Sequence, residues 1–176
     1  MITPDDKDWT WVLERRCEEC GFDGSAVAAP DVAGLLRANA QAWSHLFDDG
    51  LIVAGRTDPT RWSNLEYACH VRDVFQRFDA RMDLMLTEDD PAFPNWDQDA
   101  TAVDDRYDEQ DPARVVEDLL IAADRIAARL DGISGAQWDR PGRRSNGSVF
   151  TLDTLSRYLA HDPIHHLWDV EHAGRS

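Results

Sequence analysis

Apolar and polar positions follow the period of an amphipathic helix in four stretches of this chain. From about Pro30 to Phe47, Val32, Leu35, Leu36, Trp43, Leu46 and Phe47 fall on one stripe, with Pro30 suited to a first turn. A second stripe, from Ser63 to about Leu86, is made by Leu65, Val71, Val74, Phe75, Phe78, Met82 and Met85. Ser63 and Glu66 have capping-box spacing: the serine side chain caps one backbone N–H and the glutamate reaches back to another. The third helix opens at Asp111-Pro112 and runs to about Leu130, with Val115, Leu119, Leu120, Ile126 and Leu130 inward. The fourth starts near Thr151 and extends to about His172. There is little strand pattern. These four helices predict an all-α four-helix bundle over residues 30–176. The long connections 48–62 and 87–110 permit a topology other than simple up-down-up-down. Residues 1–29 read as an irregular segment, in which Trp9, Trp11 and Leu13 alternate with Thr10 and Val12 as in a short extended piece.

Composition narrows the function. With 176 residues the chain can bury one substantial core, and 43% hydrophobic with 30% charged residues is a globular balance. Its 34 acidic against 18 basic residues give a net charge of −16, a field that repels phosphate backbones and argues against nucleic-acid binding. No apolar run long enough to span a membrane and no leader pattern is visible, so a cytoplasmic location is expected. The three cysteines Cys17, Cys20 and Cys69 argue against a disulfide framework. Cys17-Glu-Glu-Cys20-Gly21 resembles half of a zinc knuckle without a second CxxC; it reads as a free dithiol, a redox-sensitive pair or two ligands of a second metal site. Cys69 reads as buried core.

The histidines carry the candidate chemistry. In the run HDPIHH, His161 and His165 stand i, i+4, one turn apart on one helix face, where two imidazoles can share a divalent metal. His70 lies mid-helix near Val74 and Phe78, on or beside a core face, and completes a three-nitrogen set. Three neutral histidines leave positions open for water and substrate, as in a catalytic site. Zn²⁺ suits all-nitrogen ligation best, with Ni²⁺, Fe²⁺ and Mn²⁺ as alternatives. His166 points about 100° away and reads as a supporting or surface residue. His45 reads as surface, and His172 lies near the chain end. Pro163 removes an N–H from the helix and predicts a kink; the apolar positions Ile164, Leu167 and Trp168 argue against a break.

Three stretches resemble the DinB-like (YfiT-like) metalloproteins: Trp62-Ser63-x-x-Glu66-x-x-x-His70, His161-x-x-x-His165-His166, and Asn95-Trp96-Asp97-Gln98 with Arg106-Tyr107 ahead of the third helix. The likeness spans roughly residues 30–172. It implies a four-helix bundle with a divalent metal on His70, His161 and His165, and a thiol-dependent S-transferase or isomerase that uses a low-molecular-weight thiol such as mycothiol. Asp169, where many relatives carry glutamine, and the CEECG segment depart from the family pattern. The leading expectation is therefore metal-dependent transfer of such a thiol to a small electrophile. The alternatives are a non-catalytic metal-binding bundle and a metal-dependent hydrolase. Arg140, Arg143 or Arg144 are candidates to orient a carboxylate of the thiol. Trp96, Tyr107, Tyr158 and Trp168 are candidates to line the pocket for a small-molecule substrate. A homodimer is compatible with the chain.

Overall fold

In the computed structural model, which describes Ile2 and residues 9–172, the capped stripes of the sequence are long helices. A single 3-10 turn with Pro30 leads into α1 (Val32–Asp48). The helix α2 (Asn64–Thr87) is held at its start by the expected capping box: Ser63 Oγ accepts from Glu66 N at 3.2 Å, and Glu66 Oε2 accepts from Ser63 N at 2.8 Å. The Arg56 guanidinium donates to the same carboxylate. A short helix, α3 (Gln98–Asp104), is capped by Asp97. Next come α4 (Pro112–Asp131), capped by Asp111, and α5 (Leu152–His172). Helix α5 runs unbroken through Pro163, whose carbonyl accepts a buried hydrogen bond from Asn39 Nδ2 on α1 at 2.8 Å.

Both α4 and α5 pack against α1 and α2, so α1 stands diagonally from α2 and α4 from α5, while α2 and α4 are side by side. The long crossings 49–63 and 132–151 make that order feasible. Trp43, Leu36, Leu65, Phe75, Met82, Met85, Leu119, Ile126, Leu130, Leu152 and Leu155 are fully buried between them. Among the described residues, no helix is long and apolar enough to cross a membrane.

Two regions depart from the sequence reading. The connection 87–110 and the segment 132–151 between α4 and α5 carry strands, although the sequence shows little strand pattern. They contribute β1 (Ala92–Phe93) and β2 (Pro141–Arg144), which pair in parallel, while β2 pairs antiparallel with β3 (Val149–Thr151). Strands of two to four residues are too short to show a period of two. The alternating Trp9–Leu13 piece is a 3-10 helix, not extended. Its three-residue period puts Trp9 and Val12 on one side, against α5, and Val12 is fully buried. Gly24 then crosses so close to Val12 that a Cβ would lie 2.6 Å from the Val12 carbonyl oxygen. Arg157 on α5 donates to the Gly24 carbonyl at 3.0 Å, fastening the segment down.

Candidate metal centre

Two clusters of metal-type donors lie on different faces of α5. The inner one joins His70, Asp162 and His166. His70, mid-way along α2, is fully buried, with its ring stacked on Trp96 (centroids 5.1 Å, planes 6° apart) and edge-on to His166 at 4.7 Å. His70 Nε2 lies 3.2 Å from Asp162 Oδ1, and His166 Nε2 lies 3.7 Å from the same oxygen. Two donors each about 2.1 Å from one ion, at right or tetrahedral angles, stand about 3.0–3.4 Å apart. The His70–Asp162 pair has that spacing, and a small inward shift of His166 would bring its nitrogen to the same ion. His166 Nδ1 faces Asp169 Oδ2 at 3.2 Å, and Asp169 Oδ1 is held by Arg61 at 2.8 Å. A carboxylate on the far nitrogen fixes a ligating imidazole's orientation and basicity.

The electrostatics agree. Burial pushes the Asp162 carboxyl up, but the charge and hydrogen bond of His70, then His166 and His161, outweigh it and hold the group at about 2. Burial lowers His70 against the opposing pull of Asp162. An ionised carboxylate and a neutral imidazole are the forms that ligate a metal, and these shifts favour them at Asp162 and His70. His70 Nδ1 is buried without a hydrogen-bond partner. A cavity of about 390 Å³ is lined by both His165 and His166, and among others by Trp9, Glu19, Arg61, Trp62, Tyr67 and Trp168; of the inner cluster only His166 reaches it. A larger groove of about 650 Å³, between Arg72 and Asp118, is lined by neither histidines nor cysteines.

The second cluster joins Cys17, Cys20, His161 and His165. The cysteines sit in a tight turn: Cys17 N donates to Phe22 O at 2.7 Å, and Gly21 N donates to Cys17 O at 3.0 Å. Gly21 has φ +77°, a left-handed conformation that a side chain resists. Cys17 Sγ lies 3.8 Å from His165 Nδ1, and the His165 and His161 rings are 5.0 Å apart. On the far side, His165 Nε2 meets Glu19 Oε2 at 3.4 Å and Asp169 Oδ2 at 3.9 Å. Burial, then the neighbouring His165, lowers His161 to about 4; burial also lowers His165, against Asp169. Burial pushes the Cys20 thiol up to about 12, with the Phe22 backbone opposing and Cys17 adding to the rise.

The sequence profile of the DinB superfamily matches residues 4–170. The chain belongs to the DinB superfamily. No curated protein matches it. Its fold is similar to that of YfiT from Bacillus subtilis, described as a probable metal-dependent hydrolase with an unusual four-helix bundle topology. The TM-score is 0.67 at 18% identity, over 97% of this chain and 91% of that one.

Within this DinB-superfamily chain, the predicted set His70, His161 and His165 is divided between the two clusters. The reason is helix phase. Positions 161 and 165 face the N-terminal segment, whereas 162 and 166, one residue and about 100° further round, face His70 on α2. His166, read from sequence as a supporting or surface residue, is a member of the inner cluster, and Asp162 stands in the place expected of a histidine. The second overlapping i, i+4 pair is visible in HDPIHH itself. Of the expected pocket residues, Trp168 lines the cavity. Trp96 instead stacks on His70, with its Nε1 donating to Thr101 at 2.7 Å. Tyr107 is fully buried and donates its hydroxyl to Asp73. Tyr158 packs on Phe78 and Phe150. The candidate arginines hold the sheet region together: Arg140 donates to the Met85 and Glu88 carbonyls, Arg143 pairs with Asp90, and Arg144 reaches Ser148 and Tyr158. Cys69 is buried core, with its sulfur 3.8 Å from Tyr107 O.

Proposed function

We propose that this chain is a divalent-metal-dependent enzyme that delivers a nucleophile to a small electrophilic substrate at His70, Asp162 and His166. The observation that carries this reading is the convergence of two imidazole nitrogens and one carboxylate oxygen, with His166 among them lining a cavity large enough for a small molecule. Three protein donors leave positions open, which separates a working site from a closed one. A bound divalent ion supplies a Lewis acid that makes a nucleophile available near neutral pH. Mixed nitrogen and oxygen donors suit Zn²⁺, Fe²⁺, Mn²⁺ or Ni²⁺.

The protein's own groups do the rest. Trp62 and Trp96 flank His70 and exclude water from its side of the site. Asp169, braced by Arg61, holds the His166 ring. Trp168 and Tyr67 give the cavity apolar walls, and Arg61 and Gln98 give it polar ones. Hydrolysis is the favoured reaction. Of the residues expected to orient a thiol's carboxylate, Arg140 and Arg143 are bound to carbonyls and to Asp90. YfiT, of the same fold, is itself described as a probable metal-dependent hydrolase.

The test is turnover by metal-reconstituted protein on two panels: activated esters and amides in water, and a chloro-dinitroarene with mycothiol, bacillithiol or glutathione. Metal-dependent hydrolysis abolished by Asp162→Asn and His166→Gln supports the proposal. Product on the thiol panel alone would replace hydrolysis by S-transfer at the same centre. Absence of metal-dependent product on both would leave a non-catalytic metal-binding bundle.

A further inference from the structure

We propose that Cys17, Cys20, His161 and His165 form a second, closed zinc site that clips the N-terminal segment onto α5. Four donors of the two preferred zinc types meet there, with one ligand atom from each lying within 4.8 Å of all the others. A thiolate sulfur at 2.3 Å and an imidazole nitrogen at 2.0–2.1 Å from a tetrahedral ion stand about 3.6 Å apart. The observed separation of Cys17 Sγ and His165 Nδ1 is 3.8 Å. Two sulfurs and two nitrogens in tetrahedral array select zinc over the harder divalent ions.

Three further features belong to a metal site rather than to a redox pair. The CEECG turn, with Gly21 left-handed and the Cys17–Phe22 backbone bond closing it, presents both sulfurs to one side, where the histidines stand. The far nitrogen of His165 faces the Glu19 carboxylate, so the residue between the cysteines also orients a histidine ligand. His161 keeps its Nε2 buried with no hydrogen-bond partner, a cost that a ligand to that atom would remove. With all four positions filled by protein the site has no place for substrate, so its role is structural. It acts on the inner centre indirectly: Trp9 and Glu19, on the clipped segment, form part of the cavity wall beside His166. On binding, Zn²⁺ gains two thiolates and two neutral imidazoles, and the two thiol protons leave to solvent.

The experiment is Co²⁺ titration of the metal-free full-length chain, with cobalt alone as the probe. Tetrahedral sulfur–nitrogen ligation gives a thiolate-to-cobalt charge-transfer band and intense visible d–d bands. The expected result is a band that disappears in Cys20→Ser and in His165→Gln, and that persists in His166→Gln, where it saturates at one equivalent per chain. The reactivity of wild-type Cys20 toward a disulfide reagent gives a readout without any variant. Zn²⁺ should slow it at least tenfold, and a chelator should restore it. Absence of a charge-transfer band, a band unchanged in Cys20→Ser, or thiol reactivity indifferent to Zn²⁺ would overturn the proposal.

Discussion

Helix α5 offers two faces one residue apart, and the two behave as different chemistry. The inner face presents Asp162 and His166 to His70 across the bundle, in a three-donor set beside a cavity. The outer face presents His161 and His165 to a cysteine turn, in a four-donor set that protein side chains alone can complete, although His165 also lines the cavity. A donor set with oxygen and an open position suits reactivity, and one with two sulfurs and closure suits stability. One hexapeptide can thus serve both because a step of one residue turns the side chain by about 100°. Asp169 lies between them, 3.2 Å from His166 Nδ1 and 3.9 Å from His165 Nε2, and so faces both sides.

The comparison breaks most visibly at the inner ligands. Asp162→Asn and His166→Gln should reduce metal-dependent turnover to background while leaving the cobalt–thiolate band and most of the thermal stability intact. Loss of both properties together, by activity assay and calorimetry, would mean that the two faces are not separable. The converse substitution, Cys20→Ser, should lower stability by on the order of 3–5 kcal/mol, the scale of losing a structural metal. Chelation of the wild type should reproduce that fall in a thermal melt.

The four helices were legible because each is long enough to show its period and is marked at its start. The Ser63–Glu66 box and the Asp111-Pro112 cap stand where the pattern places them. The short strands were not, since two to four residues carry no pattern and their pairing is made by tertiary contact. At the site, the residue types were legible but their grouping was not. His70 and the HDPIHH run stand out in the sequence as metal-type donors, yet the run holds two i, i+4 pairs, and periodicity does not say which one faces α2. Cys17 and Cys20 read as half a knuckle because a second cysteine pair is the usual completion, whereas His161 and His165, far along the chain, stand beside them. Only the docking of the N-terminal segment through Val12, Gly24 and Arg157 brings them together.

A smaller effect sharpens the role of the shared carboxylate. Asp169→Asn should weaken metal binding at the inner centre by about 10–100-fold, as loss of a carboxylate behind a ligating histidine does, with a lesser loss at the outer site, where Glu19 remains. Competition with a chromophoric chelator measures both. A comparable loss at both sites would show that Glu19 contributes nothing.

The smallest effect lies outside both faces. Glu66→Ala should cost about 1–2 kcal/mol by removing the capping box and the Arg56 contact. Burial pushes the Glu66 carboxyl up, but its bonds to Arg56 and Ser63 prevail and hold it below the ordinary range. A carboxyl depressed in the folded state stabilises above its unfolded value of about 4.3 and loses that contribution as pH falls through the folded value. The stability gap between wild type and Glu66→Ala should therefore narrow below about pH 4 in denaturant titrations. A gap independent of pH would remove the charge from the explanation.

The division of α5 into two metal-binding faces is tested most directly by native mass spectrometry of zinc-reconstituted full-length protein. Two zinc ions per chain are predicted for the wild type and one for either Cys20→Ser or His166→Gln. A single ion in the wild type, retained in both of these variants and lost in both His70→Gln and His161→Gln, would contradict the account and restore the three-histidine centre.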